Sequence, residues 1–514
     1  MLSLTRCPSI SPVLPSGRGW LSLWPYPVVM QSDIVPDNPR HSAVVRVTHW
    51  ITALSFLVLV LSGIAILLAH PRLYWGETGA AGGPSLFDLP LPFVLDVPIR
   101  GPGRYLHFLS AWVSVFTGLV YVLMGLASRH FGRNLLPARG ELSFGAIGRV
   151  IRSHMRLERS SEAELASYNV LQRLSYTTVV FVLLPLMIWT GLAMSPAVTS
   201  VFPFVVSVLG GQQTARTVHF VAACSLVLFL LVHVAMVCLT GFKRRVRAMI
   251  TGRGPAPAGA TASVGFSRRT LIQTSLGALA GVGGLGAGVR LLDRCGLIPA
   301  NHRGIYGLSE TLTYAGQRLL TKLPSMAREF DRSQISTVIP VNGKAPKTEP
   351  YQRLLAGGFA EWRLQIDGMV ARPSSLSLAE LKSFPSRSQI THQACEEGWS
   401  FIAEWTGVPL AHVLERVGIH PKARYVFFFA FDDWWDSIDM DDALHPQTLL
   451  AYGMNGPEMP IDHGAPMRLK LARQLGYKSL KYLSRITVTD SAKAIGDGLG
   501  SGSPAAGYSW YAGI

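Results

Sequence analysis

The sequence predicts a membrane all-α bundle of four helices plus a fifth anchor helix, followed by a soluble mixed α/β domain. Three observations carry this prediction. Four apolar runs of roughly 20–25 residues, each long enough to cross a bilayer, crowd into the first ~300 residues. The last ~200 residues alternate apolar and polar positions between Gly and Pro breaks, as a soluble domain does. Mean hydropathy is +0.29 and only 15% of the 514 residues are charged, a balance foreign to a wholly soluble enzyme.

The elements follow in order. Residues 1–39 are rich in Pro, Ser and Trp and show no periodicity. They read as a disordered tail, or as a start assigned too far upstream, because Met30 precedes a polar, start-like Gln31-Ser32-Asp33. Residues 40–250 hold the four spans, at about 43–69, 105–128, 171–194 and 217–241. Arginines fill the loop after the second span (Arg129, Arg133, Arg139, Arg149, Arg152, Arg156, Arg159). Lys243, Arg244, Arg245, Arg247 and Arg253 follow the fourth, and Arg40 and Arg46 flank the start of the first, whereas the loop between spans three and four has no charge until Arg216. Basic loops stay inside, so the N-terminus, the 129–168 loop and the 243–268 stretch are expected in the cytoplasm. The linker and anchor, 251–300, begin their apolar part with Ser267-Arg268-Arg269-Thr270-Leu271-Ile272 and continue as a mild Gly/Ala run to about Leu292. This resembles a twin-arginine export signal, although two positive-inside arginines on a signal-anchor give the same pattern. Either reading places 301–514 on the periplasmic side.

The formal charge of +16 sits beside membrane segments, so it marks lipid-flanking loops and argues against nucleic acid. Cys7, Cys224, Cys238, Cys295 and Cys395 form no CxxC spacing and no disulfide framework.

Histidine is expensive inside a bilayer and marks function there. His219 and His233 lie fourteen residues apart in the fourth span, about 21 Å along the axis and only about 40° around it. His49 opens the first span at its cytoplasmic end, and His107 opens the second at the outer end. Pairing by depth gives His49 with His233 and His107 with His219. These are two bis-imidazole sites stacked across the membrane, suited to two haem irons. Gly63 and Gly191 fall where a missing side chain would admit a flat macrocycle or close helix packing. Arg46-x-x-His49-Trp50, Leu106-His107-Phe108, Thr190-Gly191-Leu192 and Val218-His219-Phe220 with His233-Val234 resemble bacterial four-helix di-haem b-type cytochromes, the membrane subunits of hydrogenases and thiosulfate reductases. The resemblance covers about 40–245 and implies electron exchange with membrane quinone.

In the exported half, 301–514, a spacer (~295–340) precedes a strand at Trp362–Ile366 ending in an Asp367-Gly368 turn, a helix at Leu378–Phe384, and strands at Tyr425–Phe431 and Ile486–Val488. Cys395 lies in Cys395-Glu396-Glu397-Gly398-Trp399-Ser400. With Trp405-Thr406-Gly407-Val408-Pro409-Leu410, His463-Gly464-Ala465-Pro466-Met467-Arg468 and Gly476-Tyr477-Lys478-Ser479-Leu480-Lys481, this run resembles the sulfite-oxidase fold of molybdopterin enzymes. The resemblance implies that Cys395 ligates molybdenum, and a soft thiolate suits that metal. It also implies that His463, Arg468, Ser479 and Lys481, with Asn342 as a further contact, hold the pterin and its phosphate. At His463 that family more often carries asparagine.

Sulfite oxidases proper add an immunoglobulin-like domain of roughly 100 residues, and only about two dozen residues follow Val488 here. Glu396 and Glu397 directly after the cysteine would also repel a sulfite dianion. Both departures favour the periplasmic branch that reduces methionine sulfoxide. The expectation is a quinone-linked reductase of the bacterial inner membrane, passing electrons from quinol through two b haems to molybdenum, where an S-oxide or N-oxide loses oxygen. Glu396 or Glu397 is expected to deliver protons. The alternatives are a sulfite-type dehydrogenase feeding quinone, and a haem electron-transfer subunit whose exported domain only docks a partner.

Overall fold

The computed structural model describes residues 42–89, 100–137, 145, 148, 170–252, 297–300, 304–322, 325–504 and 507–514. The tail 1–39, most of the 129–168 loop and the twin-arginine-like segment 267–292 lie outside them.

Among the described residues, four helices are long and apolar enough to cross a membrane: α1 (Ala43–Ala69), α2 (Arg100–Ala127), α3 (Val170–Ala193) and α4 (Gln212–Leu239). Ser42 caps α1 by accepting the Val45 N–H at 3.3 Å. Within α3 a π-helical turn covers Val179–Leu183, just before Pro185. Proline lacks an N–H and crowds the carbonyl four residues back, and the wider turn accommodates both. Leu54, Leu61, Leu123, Leu228 and Leu231 are each more than half exposed, which is tolerable only against lipid. The inward face of α1 carries Thr48, Ser55 and Ser62, seven residues apart and buried. Each hydroxyl bonds the carbonyl four residues back, at Val44, Ile51 and Val58. This leaves a polar stripe inside the bundle with its donors already used.

A short basic helix, α5 (Phe242–Thr251), ends the membrane domain, and Arg46 at the start of α1 donates to the Ile250 carbonyl at 2.8 Å. The basic clusters at 46 and 243–247 therefore share one end of the bundle. At the opposite end a hairpin pairs Arg72–Leu73 with Phe87–Asp88, and short helices cover Pro196–Val201 and Phe204–Ser207. Gly211 (φ +132°) lets α4 begin against this hairpin, because a Cβ there would lie 2.4 Å from the Gly76 carbonyl.

The expected spacer is not structureless, since α6 (Gly304–Thr321) occupies its middle. Its Thr313 accepts the Trp112 indole N–H of α2 at 3.2 Å. On the other side Tyr314 donates to Asp439 at 2.9 Å, and Arg318 bonds Asp439 and Asp442 at 2.5 Å. Helix α6 is thus wedged between bundle and soluble domain. The sequence reading missed it because its polar residues face two partners and blur the 3.6-residue period.

The soluble domain contains β1 (Arg363–Gly368), β2 (Ser374–Ser377), β3 (Arg387–Ala394), β4 (Ser400–Pro409), β5 (Tyr425–Ala430), β6 (Trp435–Asp439), β7 (Leu449–Met454), β8 (Arg468–Lys470) and β9 (Leu483–Thr489). One sheet runs β2-β1-β9-β5-β6, with β9 parallel to β1 and antiparallel to β5. The other is antiparallel, β8-β7-β4-β3. Trp362, Ile366, Phe428, Leu450, Leu469 and Ile486 form one buried core shared by both sheets, and apolar burial of this kind drives their association. The expected strands at 362–366, 425–431 and 486–488 and the helix at 378–384 all appear within a few residues of their predicted bounds.

Asp442 anchors the α6 junction, taking Arg318 and Arg473 at 2.5 Å and the Gln474 amide at 2.5 Å. Burial alone would raise its pKa, but the two guanidiniums reverse this and hold it well below the usual carboxylate range. A depressed pKa contributes stability above the unfolded value, and that contribution is lost as pH falls through the folded one. The pair should therefore hold at neutral pH and weaken only below about pH 4. Asp442→Asn strands buried Arg473 and leaves Arg318 only Asp439, and should cost about 3–5 kcal/mol, read as a lower urea midpoint for tryptophan fluorescence of the soluble domain. An unchanged midpoint refutes the anchoring role.

Candidate functional site

Each pair of intramembrane histidines expected from depth is together in space. The His49 and His233 rings lie 6.4 Å apart between centroids, and His107 and His219 lie 6.5 Å apart. Two imidazoles sharing one metal at about 2 Å per bond stand roughly 6 Å apart, centre to centre. The outer pair is also oriented. Ser62 Oγ lies 3.0 Å from His107 Nδ1, and Thr190 Oγ1 lies 2.9 Å from His219 Nδ1. Both hydroxyls spend their own protons on helix carbonyls, at Val58 (2.7 Å) and Leu186 (2.7 Å). They must therefore accept from the rings, which fixes the proton on Nδ1 and leaves each Nε2 lone pair for a metal. A Cβ on Gly63 would sit 3.6 Å from His107 Cε1, and one on Gly191 3.8 Å from His219 Cε1. The absent side chains keep the flanks of these rings clear, as a flat macrocycle requires. The inner pair is lined by aromatics, with Phe229 stacked on His233 at 5.7 Å and Tyr176 edge-on at 6.1 Å. The residues fit two haems.

Cys395 follows β3 directly and opens the tight turn into β4. Its N–H donates to the Trp399 carbonyl at 2.8 Å, and the Gly398 N–H returns to the Cys395 carbonyl at 3.1 Å. Gly398 holds φ +105°, a conformation that favours glycine. The thiol is buried, and burial, reinforced by the Glu397 and Glu396 charges, pushes its pKa up to about 12. Without a metal it stays protonated. Glu396 pairs with Arg104 of α2 at 3.3 Å, and Glu397 accepts the Trp399 indole N–H at 2.9 Å.

A cluster of cations lies behind the cysteine strand. Arg468 is buried and donates to the His463 and Ser479 carbonyls, each at 2.8 Å. Lys470, also buried, donates to the His392 carbonyl (3.2 Å) and the Gln393 amide oxygen (3.1 Å), both on β3 just before Cys395. Lys481 donates to the carbonyls of Asn342 (2.6 Å) and Asp462 (2.9 Å). Among the described residues these acceptors are all neutral. Burial lowers Arg468 to about 10, burial with repulsion from Arg468 lowers Lys481 to about 8 and holds Lys470 well below its ordinary value, and burial with Arg468 and Lys481 takes His463 to about 4. The Trp405 ring lies 5.1 Å from the Arg468 guanidinium and 4.9 Å from the Lys470 ammonium, and its buried indole N–H has no acceptor among the described residues. Two buried cations, Arg468 and Lys470, bonded only to neutral oxygens beside an orphaned donor, are what an anionic, hydrogen-bonding group such as a pterin phosphate would complete.

The expected site residues thus fall into two groups. Cys395, Glu396 and Glu397 share one turn, while Arg468, His463, Ser479, Lys481 and the Asn342 carbonyl form the cation pocket. The Ser479 hydroxyl is used internally, accepting the Leu471 N–H at 3.0 Å. Asn342 is exposed and contributes its backbone. The sequence reading missed Lys470, although Arg468-x-Lys470 in a strand puts both side chains on one face. It also missed Arg104, which no local pattern sets apart.

Residues 40–252 match the family described as prokaryotic cytochrome b561, and residues 353–494 match the oxidoreductase molybdopterin binding domain. A protein of Azospira oryzae named as a protein-methionine-sulfoxide reductase subunit, YedZ1, is 40% identical over 154 residues, covering 30% of this chain and 56% of its own length. The protein-methionine-sulfoxide reductase catalytic subunit MsrP of Xanthomonas axonopodis pv. citri is 36% identical over 156 residues, 27% of this chain and 48% of its own. This chain therefore spans about half the length of each. The sulfane dehydrogenase SoxCD of Paracoccus pantotrophus aligns over 26% of this chain and 39% of its own at 23% identity, with a TM-score of 0.25.

The pairing is testable by cofactor count. His219→Ala should remove the outer haem alone, halving pyridine-haemochrome content, and His49→Ala should remove the inner one. Thr190→Val keeps the ligand but frees the ring, and should weaken haem retention about 10–100-fold. Loss of both haems on either histidine change, or of neither, refutes two independent sites.

Proposed function

We propose that this chain, a cytochrome b561 membrane domain joined to a molybdopterin-binding oxidoreductase domain, is an inner-membrane reductase that draws electrons from quinol and removes oxygen from an S-oxide, methionine sulfoxide foremost. The observation that carries the reading is the occurrence in one chain of two metal-spaced imidazole pairs, a buried cysteine and an unpaired cation pocket. The names of the relatives support the substrate class. When bound, the haems supply one-electron storage and molybdenum supplies oxygen-atom transfer.

The division of labour among the residues follows from their chemistry. His49 and His233 hold the inner haem at the end shared with the basic α5, the cytoplasmic end by the positive-inside rule. His107 and His219 hold the outer haem. Cys395 would hold molybdenum as the thiolate, for which its buried thiol must lose a proton. Arg468, Lys470 and Lys481, with His463, Ser479 and the Asn342 carbonyl around them, hold the pterin and its phosphate. Reduction of one S-oxide consumes two electrons and two protons and releases sulfide and water. We assign proton delivery to the Glu397 carboxyl rather than to Glu396. A neutral indole donates to Glu397, whereas protonating Glu396 would break its ion pair with buried Arg104. Residues 251–300 provide the fifth span and the export signal, which places 301–514 in the periplasm.

The test is purified full-length protein. About one molybdenum and two b haems per chain, with quinol-dependent reduction of methionine sulfoxide, are expected. Cys395→Ser should abolish turnover and leave the dithionite-reduced haem spectrum intact. An active, molybdenum-loaded Cys395→Ser chain, or a full chain that oxidises sulfite but reduces no S-oxide, overturns the reading. A second check addresses the pocket: Lys470→Met should lower pterin content while both haems remain, and unchanged content removes Lys470 from the site.

A further inference from the structure

We propose that Arg104 is a positioning residue that locks the Cys395 loop onto the outer histidine pair, so that the two redox centres act from one fixed register and not by collision. The proposal rests on the functional reading above for what the centres hold, and on geometry alone for the docking.

Arg104 stands three residues before His107 in α2, and Arg216 stands three before His219 in α4. Three residues are about 4.5 Å of rise and nearly one turn. Each outer ligand therefore has an arginine one step nearer the soluble domain, on almost its own face of the helix. Both arginines reach the cysteine turn. The Arg104 guanidinium pairs with Glu396, the residue after Cys395, at 3.3 Å, and its second nitrogen donates to the Ile514 backbone oxygen at 2.6 Å. The Arg216 guanidinium is fixed by the His70 (2.8 Å) and Arg72 (2.6 Å) carbonyls and lies where a Gly398 Cβ would come within 2.7 Å of it. Between them, Gln213 of α4 donates to the Gly398 carbonyl at 3.0 Å and to Ser400 Oγ at 2.8 Å. The loop beyond α1 completes the seat, because Gly79 and Ser400 exchange both backbone hydrogen bonds, at 3.1 and 2.8 Å. Glu396, Gly398 and Ser400 thus touch the bundle's outer end, and Cys395 adjoins that run.

The ion pair sets the register because it is buried. Side-chain exposure is 11% for Arg104 and 6% for Glu396. A buried charge left without its partner is strongly unfavourable, so a slip or rotation of the soluble domain would expose two penalties at once. Hydrogen bonds to backbone carbonyls alone would tolerate such a slip. The Arg104–Glu396 pair adds the penalty that forbids it.

The experiment follows electrons in the full chain after rapid mixing with quinol, reading haem reduction optically and their onward arrival as the molybdenum EPR signal. Arg104→Gln should leave haem reduction unchanged and slow the onward step at least tenfold, while viologen dye, which reduces the molybdenum site directly, still drives S-oxide turnover. Arg104→Lys, which keeps the charge, should recover most of the rate. An onward rate at the wild-type value in Arg104→Gln, or dye-driven and haem-driven turnover falling together, overturns the proposal. Backbone hydrogen exchange supplies a readout that needs no substrate. The Gly398 and Ser400 amides, which donate to Cys395 and Gly79, should exchange about tenfold faster in Arg104→Gln than in the parent chain. Unchanged exchange shows that the ion pair does not set the register. Faster exchange in a chain that holds no molybdenum would sink the functional reading and leave the docking intact.

Discussion

A neutral imidazole has two nitrogens and one proton, and in a bilayer neither nitrogen can turn to water. That constraint organises the membrane half. At the outer site the Nδ1 proton goes to Ser62 or Thr190, whose own hydroxyl protons are committed to helix carbonyls. The remaining lone pairs face a partner ring at 6.5 Å, a distance one metal closes. The same bonds fix how α1 registers on α2 and α3 on α4, since a shift of one residue along either helix would swing the hydroxyl about 100° from its ring. Cofactor geometry and helix packing are therefore one problem with one solution, and the outer site lands at the rim where the soluble domain begins.

The soluble domain shows the complementary use of charge. Around α6 the buried cations Arg318 and Arg473 are matched by Asp439 and Asp442. That closed network fixes a helix and leaves nothing for a ligand. Around β8 the buried cations Arg468 and Lys470 and the half-buried Lys481 bond neutral oxygens, and burial lowers the pKa of each. A folded chain keeps such a cluster only if something else compensates it. Set side by side, the two networks separate structural charge from binding charge without reference to any relative.

What the sequence made legible follows the same division. The spans and the depth of each histidine could be read because a bilayer imposes one length and one polarity rule on every helix. Cys395 and Arg468 could be singled out as candidates because short motifs surround them. Lys470 was harder, since a lysine in a strand is ordinarily a solvated edge residue, and only its burial against β3 shows otherwise. Helix α6 and Arg104 were out of reach for a different reason. Their roles come from contacts across about two hundred residues or more of chain, from Trp112 to Thr313 and from Arg104 to Glu396. No local window contains both partners, and a polar helix between two domains lacks the one-sided apolar stripe that announces an ordinary one.

Covalent continuity explains why so polar a seam can serve. Two separate proteins that must dock to pass electrons lose an estimated 4–15 kcal/mol of translational and rotational freedom, which a large apolar patch normally offsets. Here the chain itself brings the partners together, and α6 holds the soluble domain by the Trp112–Thr313 bond on one side and the Asp439–Asp442 network on the other. Docking then becomes an intramolecular step at high effective concentration. The seam is released from supplying affinity and needs only to supply register. Backbone bonds at Gly79, Gly398 and Ser400 and one buried ion pair are poor glue but strict geometry, and strict geometry is what the proposed electron transfer between two fixed centres would require.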